Sequence, residues 1–183
     1  MLNAVLIHYP CLNRLGEKTA TAAYPLDVQD MARSCATFGV SHLFVVHPEP
    51  RQREFLKRVV DFWGTKEAFE WNWNRHQAMS LVHIVPSLED LLAGTPNALV
   101  VTTSASIRME KVCTFSDLNE QVREEKRDVF LLFGTGHGLH DDAIRLSCVQ
   151  LEPVTGQSDY NHLSVRSATA VILSRICQPQ FSK

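Results

Sequence analysis

Short runs of apolar residues recur along this chain, and they constrain its fold more than any other feature. Most of the runs are apolar at every position rather than at alternate positions. Strands with this pattern are covered on both faces, as in a parallel sheet between layers of helices. The sequence therefore predicts buried strands at residues 3–9, 41–47, 81–85, 98–103, 129–133 and 148–151.

Between these runs, apolar residues recur at the three- and four-residue spacing of amphipathic helices. The patterns predict helices at residues 27–38, 52–62, 87–92, 114–125 and 163–176. In the first of them, Asp27 is suited to cap the amino end and Gly39 to end the helix. Strands that alternate with helices favour an α/β fold with a mostly parallel sheet flanked by helices. No segment has the composition of a linker, so we expect a single domain over residues 1–183, with its longest excursion from the sheet within 51–76.

Composition excludes several classes of protein. The chain has 18 basic and 20 acidic residues and a net charge of −2, so it does not coat nucleic acid by charge alone. Its five cysteines are widely spaced and form no Cys-x-x-Cys pair, which argues against a cysteine zinc site and a disulfide framework. No apolar run approaches the roughly 20 residues that span a bilayer, and no signal peptide is evident. We therefore expect a soluble cytoplasmic protein without a membrane partner.

A glycine-rich loop follows the predicted strand at 129–133. Three glycines occur within the five residues 134–138, which lets the backbone turn sharply and approach a ligand closely. Loops at the carboxyl ends of parallel strands border ligand sites in α/β folds. A dinucleotide site and a simple tight turn remain alternatives, although the G-x-G-x-G spacing differs from the G-x-G-x-x-G of a Rossmann loop. The nearby residues His137, His140, Asp141 and Asp142 superficially resemble a metal cluster, but acidic residues at a helix start are ordinary, and we expect no metal.

Two further segments carry polar residues suited to a site. The predicted strand at 148–151 runs into a loop over 151–156, and Asn161 is placed to cap the last predicted helix, whose first amides could face a ligand. In the first helix, Asp30 and Arg33 are three residues apart and share a face. The sequence leaves open whether they form a surface ion pair or whether Arg33 reaches a phosphate.

Taken in order, these segments resemble the SPOUT superfamily of S-adenosylmethionine-dependent RNA methyltransferases. An early helix carries an arginine, and a strand ends in Thr-Thr-Ser-Ala at 102–105. Another strand is followed by Phe-Gly-x-Gly-x-Gly-Leu at 133–139, and the Pro-x-x-Gly and Asn-x-x-Ser-Val-x-x-Ala motifs lie within 153–168. The resemblance covers nearly the whole chain. Within the superfamily, the chain is most similar to a bacterial group of predicted tRNA methyltransferases related to the tRNA guanine methyltransferase.

The resemblance implies a deep C-terminal trefoil knot, a rare exception among folds, and a homodimer with its cofactor pockets near the interface. It also implies that S-adenosylmethionine is held by three loops, mainly through their backbone groups. Carried onto this sequence, the cofactor-binding residues are Thr102, Thr103, Ser104, Phe133, Gly134, Gly136, Gly138, Leu139, Leu151, Pro153, Asn161, Leu163 and Ser164. The chain departs from the commoner pattern at Thr135 and His137 and within 159–162. These departures bear on the target base and the proton acceptor rather than on cofactor binding.

The implied reaction is transfer of a methyl group to a nucleotide of RNA, either tRNA or rRNA. Displacement at a sulfonium carbon requires alignment of donor and acceptor and removal of a proton from the acceptor. Asp159 and His162 are the candidate proton acceptors, and Arg33 is the candidate contact to the target nucleotide. The residues alone leave two other functions open: a cofactor-binding protein without catalysis, and a nicotinamide-dependent oxidoreductase.

Basic and aromatic residues lie close together within residues 51–76. Such residues can stack on unpaired RNA bases. Acidic residues dilute the charge of this stretch, however, and tryptophans are equally suited to a core. We therefore predict a solvated helix face, with Trp63, Trp71 and Trp73 in the core.

Overall fold

The computed structural model describes residues 1–124 and 126–178 of the chain. Its main element is a seven-stranded sheet of order β5-β4-β1-β8-β6-β9-β7, in which every pairing is parallel. A two-stranded antiparallel hairpin of β2 and β3 lies outside this sheet. The strands are β1 (Leu2–Ile7), β2 (Cys11–Leu12), β3 (Lys18–Thr19), β4 (His42–Val46), β5 (Val82–Val85), β6 (Leu99–Thr102), β7 (Val112–Cys113), β8 (Val129–Gly134) and β9 (Val149–Leu151).

The strands predicted from the apolar runs are confirmed, because β1, β4, β5, β6, β8 and β9 fall on those runs. The centre of the sheet explains the pattern: β1 and β6 are buried at every position, and β8 is buried up to its last residue. Strands β2, β3 and β7 were not predicted. Each has two residues, which is too short to give an apolar pattern.

Helices cover both faces of the sheet, so the α/β architecture is confirmed. One face packs on α1, α2, α3, α4, α6 and α8 through the larger apolar cluster, and the other packs on α5 and α7 through a smaller one. In the described part of the chain, no helix is both long and apolar enough to cross a membrane. The helices are α1 (Pro25–Thr37), α2 (Pro50–Trp63), α3 (Lys66–Trp71), α4 (Trp73–Met79), α5 (Leu88–Ala93), α6 (Phe115–Glu124), α7 (Asp141–Arg145) and α8 (Val165–Ile176).

The amino ends of the first and last helices differ from the prediction. Helix α1 begins at Pro25 with Tyr24 as its N-cap, because proline is preorganised for the first helical position. Asp27 therefore lies inside the first turn and is not the cap. Helix α8 is capped by Ser164, whose hydroxyl accepts a hydrogen bond from the Ser167 amide at 3.3 Å, and not by Asn161.

Other predicted helix ends agree with the structure more closely. Gly39 follows α1 with φ of 72°, a conformation that suits glycine, and Ser87 caps α5. The predicted end of α6 at residue 125 lies outside the described residues.

The predicted excursion at 51–76 is a helical one. It contains α2 and then α3 and α4, two short helices capped by Thr65 and Asn72 that are too brief to show a periodic pattern. Trp63 is buried as predicted. The prediction that all three tryptophans lie in the core is wrong for Trp71 and Trp73, which are 74% and 57% exposed.

Candidate functional site

The three loops expected to hold the cofactor meet at one edge of the sheet. They follow β6, β8 and β9, which are neighbours and run parallel. Thr102, at the end of β6, pairs with Leu132 of β8 on one side and with Gln150 of β9 on the other. Because parallel strands place their carboxyl ends at the same edge, the fold brings together segments as far apart in sequence as Ala105 and Asn161, which are 56 residues apart.

Hydrogen bonds join these loops to one another. The Thr103 amide and hydroxyl both donate to the carbonyl of Leu132, at 3.1 and 2.8 Å. The Asn161 side-chain amide donates to the carbonyl of Ala105 at 2.8 Å. Asn161 therefore connects the third loop to the first, a role that explains its polarity although it caps no helix.

Two features at this edge fit a bound ligand. Thr102 is 1% exposed, and its hydroxyl oxygen has no hydrogen-bond partner among the described residues. Buried polar groups are normally paired, so an orphaned hydroxyl indicates a missing partner. Gly138 has φ of 101°, and a Cβ at this position would have no heavy atom within 4 Å, so space is open beside the loop.

The other two glycines of the loop are required by the packing of the protein itself. A Cβ on Gly134 would lie 2.8 Å from the amide nitrogen of Leu139, and one on Gly136 would lie 2.9 Å from the carbonyl oxygen of Leu12. Both distances are shorter than real contacts of a Cβ atom. These glycines thus let the loop fold on itself and lie against the segment that follows β1.

That segment holds the glycine loop by backbone hydrogen bonds. The Leu12 amide donates to Gly138 at 2.9 Å, and the His137 amide donates to Leu12 at 3.0 Å. The His140 amide donates to the carbonyl of Pro10 at 3.1 Å. The backbone of the glycine loop is therefore hydrogen-bonded to the segment after β1 much as one strand is to its neighbour. These bonds define the path of the loop without a ligand.

A series of side-chain hydrogen bonds connects Thr135 of the glycine loop to Thr21 and His8. The Thr135 hydroxyl donates to the carbonyl of Ile7 at 2.9 Å, since a carbonyl can only accept. The Thr21 hydroxyl lies 2.5 Å from that of Thr135 and must then donate to it. Thr21 in turn accepts from Nδ1 of His8 at 2.9 Å. The direction of the whole series follows from its last acceptor.

This direction fixes the state of His8. Its Nδ1 carries the proton, and its Nε2 is a buried acceptor without a partner among the described residues. Burial lowers the pKa of His8 to about 4, and repulsion from His47 acts in the same direction. The lowered pKa means that the imidazole is neutral at pH 7, with its single proton on Nδ1.

Two residues that order the site were missed from the sequence. Gln150 is fully buried, accepts from the amides of Arg108 and Met109 at 2.8 and 3.1 Å, and donates to Ser106 at 2.8 Å. The Arg108 guanidinium donates to the carbonyl of Leu139 and pairs with Asp141 at 2.6 Å. The signal for Gln150 was a lone polar residue in an apolar strand; Arg108 gave none.

Three of the predicted cofactor-binding residues are part of the core. Phe133, Leu139 and Leu151 are at most 2% exposed and belong to the apolar clusters on the two faces of the sheet. Their side chains therefore stabilise the strand ends and the loop. Only the backbone of these residues is left to contact a ligand, as the resemblance implies.

Arg33 lies in a groove of about 580 Å³ between α1 and α8. Its side chain is exposed and makes no ion pair with any described residue. One alternative from the sequence, an Asp30–Arg33 ion pair, is wrong. Asp30 instead pairs with Arg166 of α8 at 3.1 Å, and Arg166 also pairs with Asp27 at 3.0 Å. The groove is lined by Asp30, Arg33, Ser34, Thr37, Phe38, Ser164, Arg166, Ser167 and Ala170.

Both candidate proton acceptors lie on the segment that leads from β9 to this groove. Asp159 and His162 are exposed, and the His162 ring contacts that of Tyr160 with centroids 5.5 Å apart. Pro153 begins the segment and Leu163 is exposed near its end, beside Ser164 at the groove. The segment thus connects the three loops with the groove.

Several of the histidines and acids around the glycine loop make hydrogen bonds and ion pairs within the protein. The Asp142 amide donates to Nδ1 of His140, which caps α7, and Lys18 pairs with the Asp142 carboxylate at 2.9 Å. Within residues 1–124 and 126–178, no three histidine, cysteine or acidic side chains are grouped so as to hold a metal ion.

Comparison with known proteins adds to this geometry. Residues 1–178 match a family described as SAM-dependent RNA methyltransferase. An uncharacterised protein of Aquifex aeolicus is 31% identical over 176 residues, which cover 93% of this chain and 85% of that protein. A tRNA (guanine-N(1)-)-methyltransferase of Oleidesulfovibrio alaskensis is 32% identical over 180 residues, which cover 96% of this chain but 41% of that protein.

Among solved structures, TrmJ from Z. mobilis superposes with a TM-score of 0.69 at 16% sequence identity. The match covers 98% of this chain and 70% of that one. At this identity the similarity concerns the fold, which the two proteins share over nearly the whole of this chain.

Proposed function

Because this chain belongs to the family of S-adenosylmethionine-dependent RNA methyltransferases, we propose that it methylates a nucleotide of tRNA. The observation that carries the proposal is the meeting of three loops at the carboxyl ends of β6, β8 and β9, beside the orphaned hydroxyl of Thr102. The family match also favours this function over the two alternatives, a binding protein without catalysis and a nicotinamide-dependent oxidoreductase.

The cofactor supplies an activated methyl group on a sulfonium. The protein therefore has to hold the cofactor, align the methyl group with the acceptor and exclude water. In the proposal, the loops after β6, β8 and β9 hold it through backbone groups, and Thr102 offers its free hydroxyl. Gly138 provides the open space, while Gly134 and Gly136 shape the loop. The proposed cofactor-binding residues are those named from the resemblance, with Phe133, Leu139 and Leu151 acting through their backbone.

Arg33 serves the RNA in this proposal. It is an exposed arginine without an acidic partner among the described residues, and Arg166 pairs with Asp27 and with Asp30, which lines the same groove as Arg33. The guanidinium is therefore free to bind a phosphate or a base edge in the groove by two parallel hydrogen bonds. Asp159 or His162, on the segment that borders the groove, accepts the proton from the target atom.

The choice of tRNA rests on the names of relatives. The Oleidesulfovibrio relative is named for methylation of tRNA guanine, but this chain spans less than half of its length. An activity named for that whole protein can reside in the part that this chain does not match. The base and the methylated atom are therefore left outside the proposal, and tRNA is its substrate class.

We also propose that the chain forms a single domain with a trefoil knot and that two copies form a homodimer. Helix α8 is the last helix of the described residues, and its contacts with both α1 and α6, which precede it in the chain, are compatible with a threaded segment. Most of the side chains that line the α1–α8 groove are polar, and in the proposal a second copy packs beside this groove. We propose a cytoplasmic location, because the relatives named as tRNA methyltransferases come from bacteria, whose tRNA lies in the cytoplasm.

Replacing Arg33 tests the proposed function. The substrate is unfractionated tRNA from a strain that lacks this gene, and the donor is S-adenosylmethionine with a tritiated methyl group. We expect the wild-type protein to label tRNA and Arg33→Ala to lose about 100-fold in rate, since removal of a charged contact to the reacting nucleotide is comparable to loss of one transition-state donor. Its melting temperature and its affinity for S-adenosylhomocysteine should be unchanged, because Arg33 makes no described ion pair.

The matched control is Arg123→Ala, which removes another exposed arginine from α6, in the same helix layer but outside the groove. This variant should methylate at the wild-type rate. A normal rate for Arg33→Ala would contradict the role given to Arg33. Labelling of rRNA and not of tRNA would contradict the substrate class.

A further inference from the structure

Helices α2, α3 and α4 present an unusual set of side chains to solvent. Five large apolar residues of these helices are between 46% and 74% exposed, and all five are aromatic. Elsewhere, the exposed large apolar residues include aliphatic ones such as Leu15, Ile107 and Leu163. We call this set the aromatic surface: Phe55, Phe62, Phe69, Trp71 and Trp73.

Its most exposed member, Trp71, lies against a buried aromatic ring. The Trp71 ring stacks on the buried Trp63, with centroids 5.9 Å apart and an angle of 12° between the planes. The Arg75 guanidinium also lies over the Trp63 ring, 4.9 Å from its centroid, and the Phe62 ring contacts its edge at 5.2 Å. Trp71 is therefore an exposed indole that rests against a buried ring, and this contact lowers the conformational entropy that is lost when another flat ring joins it.

The charge around this surface favours an anionic partner. Residues 50–79 contain six of the chain's 18 basic residues but four of its 20 acidic ones. Three of those acids already pair with a neighbouring base, in Lys57–Asp61, Arg58–Glu54 and Lys66–Glu70. The stretch is therefore net positive in a chain whose net charge is −2.

The aromatic surface and the Arg33 groove belong to the same layer of helices. Helix α4 packs against α1, and α1 packs against α8, which forms the other wall of the groove. A strand of RNA whose target nucleotide enters the groove can therefore continue across α1 toward α4. Aliphatic side chains, which would suit a packed protein helix, are absent from the exposed large apolar residues of α2–α4 in the described chain.

We propose that the aromatic surface binds unpaired bases of the RNA substrate, which stack on Trp71 and Trp73 while nearby cations contact the phosphates. Stacking on aromatic side chains is the common means of recognising unpaired RNA and tolerates any base. The proposal rests on the proposed function for its substrate, and it adds that an unpaired segment flanks the methylated nucleotide. The methyl-transfer site and this surface are then two separate contacts with one RNA.

The test measures binding of a fluorescein-labelled single-stranded oligoadenylate by fluorescence anisotropy at low salt. We expect Trp71→Ala to weaken binding about fivefold or more, the effect of one lost base stack. Trp71→Phe keeps a flat ring and should retain most of the affinity. Leu15→Ala removes an equally exposed apolar side chain from the hairpin and should bind as the wild type does.

Each variant is also titrated with S-adenosylhomocysteine, whose affinity should stay constant, and its far-ultraviolet circular dichroism confirms the fold. Equal oligoadenylate affinity of Trp71→Ala and wild type would overturn the proposal. So would a variant that sediments with a smaller mass while its RNA affinity is unchanged, because the surface would then join two copies of this chain. Absence of S-adenosylhomocysteine binding by the wild type would contradict the proposed function. The oligoadenylate result would still decide whether the aromatic surface binds RNA.

Discussion

The glycine loop and the segment from Pro153 to Ser164 border the same candidate site, but the structure holds them very differently. The glycine loop is paired by backbone hydrogen bonds to the segment after β1 and supported by the hydrogen-bond chain from His8. In the other segment, Asn161 makes a single side-chain bond to Ala105, and residues 155–160 are all exposed.

The difference in how firmly the two regions are held suits them to different binding partners. A loop fixed before binding loses little entropy when a ligand arrives, which suits a cofactor of constant shape. A segment with few contacts can change its path at low cost, which suits contact with a large and variable RNA. In the proposed function, both regions contact the methyl donor, but only the second also carries the proton acceptor to the target.

The largest effect should come from adding a side chain to the fixed loop. Gly134→Val places a Cβ 2.8 Å from a backbone nitrogen, so the loop must shift, and we expect a loss of roughly 1–3 kcal/mol in the free energy of unfolding. The affinity for S-adenosylhomocysteine, measured by calorimetry, should fall about tenfold or more because the loop no longer fits it.

Gly156→Val is the matched control in the exposed segment. A Cβ at Gly156 meets no atom within 4 Å, so both stability and affinity should be close to those of the wild type. If the two variants behaved alike, the contrast between the regions would be wrong.

A second effect should appear as a dependence of stability on pH. The pKa of His8 is lowered to about 4 in the folded protein, so below the ordinary value of 6.5 the unfolded chain binds the proton more readily. Stability is then lost as the pH falls from 7 toward 4, by about 2 kcal/mol between pH 7 and pH 5 for this group. Burial also lowers the pKa values of His47 and His83, with the same sign.

The measurement is urea unfolding of the wild type and of His8→Asn across this range of pH. Asparagine can still donate to Thr21 but does not titrate, so the variant should lose about 2 kcal/mol less on acidification. Parallel pH profiles for the two proteins would show that His8 is not buried as a neutral base.

The last prediction compares one hydrogen bond from each region, and the weaker of the two bonds should give the smallest effect. Thr21→Val leaves the buried N–H of His8 without an acceptor and should cost about 1–3 kcal/mol in unfolding free energy. Asn161→Ala removes an exposed bond to Ala105 and should cost about 0.5 kcal/mol. Chemical denaturation of both variants checks this, and a larger cost for Asn161→Ala would show that the exposed segment is held more firmly than the glycine loop.

The sequence by itself determined the sheet and the position of the loops. Buried parallel strands are apolar throughout, so local composition was enough to find β1, β4, β6 and β8. The order of the motifs then indicated the family, and the carboxyl ends of parallel strands necessarily meet at one edge. These features depend on residues that are close in sequence or on general rules of sheet geometry.

Only the tertiary structure decided which distant side chains are partners. Asp30 pairs with Arg166 rather than with Arg33, and Thr135 lies against Thr21, because helices and loops far apart in sequence pack together. Periodicity reports which face of an element is apolar but not what covers it. It therefore could not show that Trp71 stacks on a buried ring and remains exposed, or that Gly134 is required by its own loop.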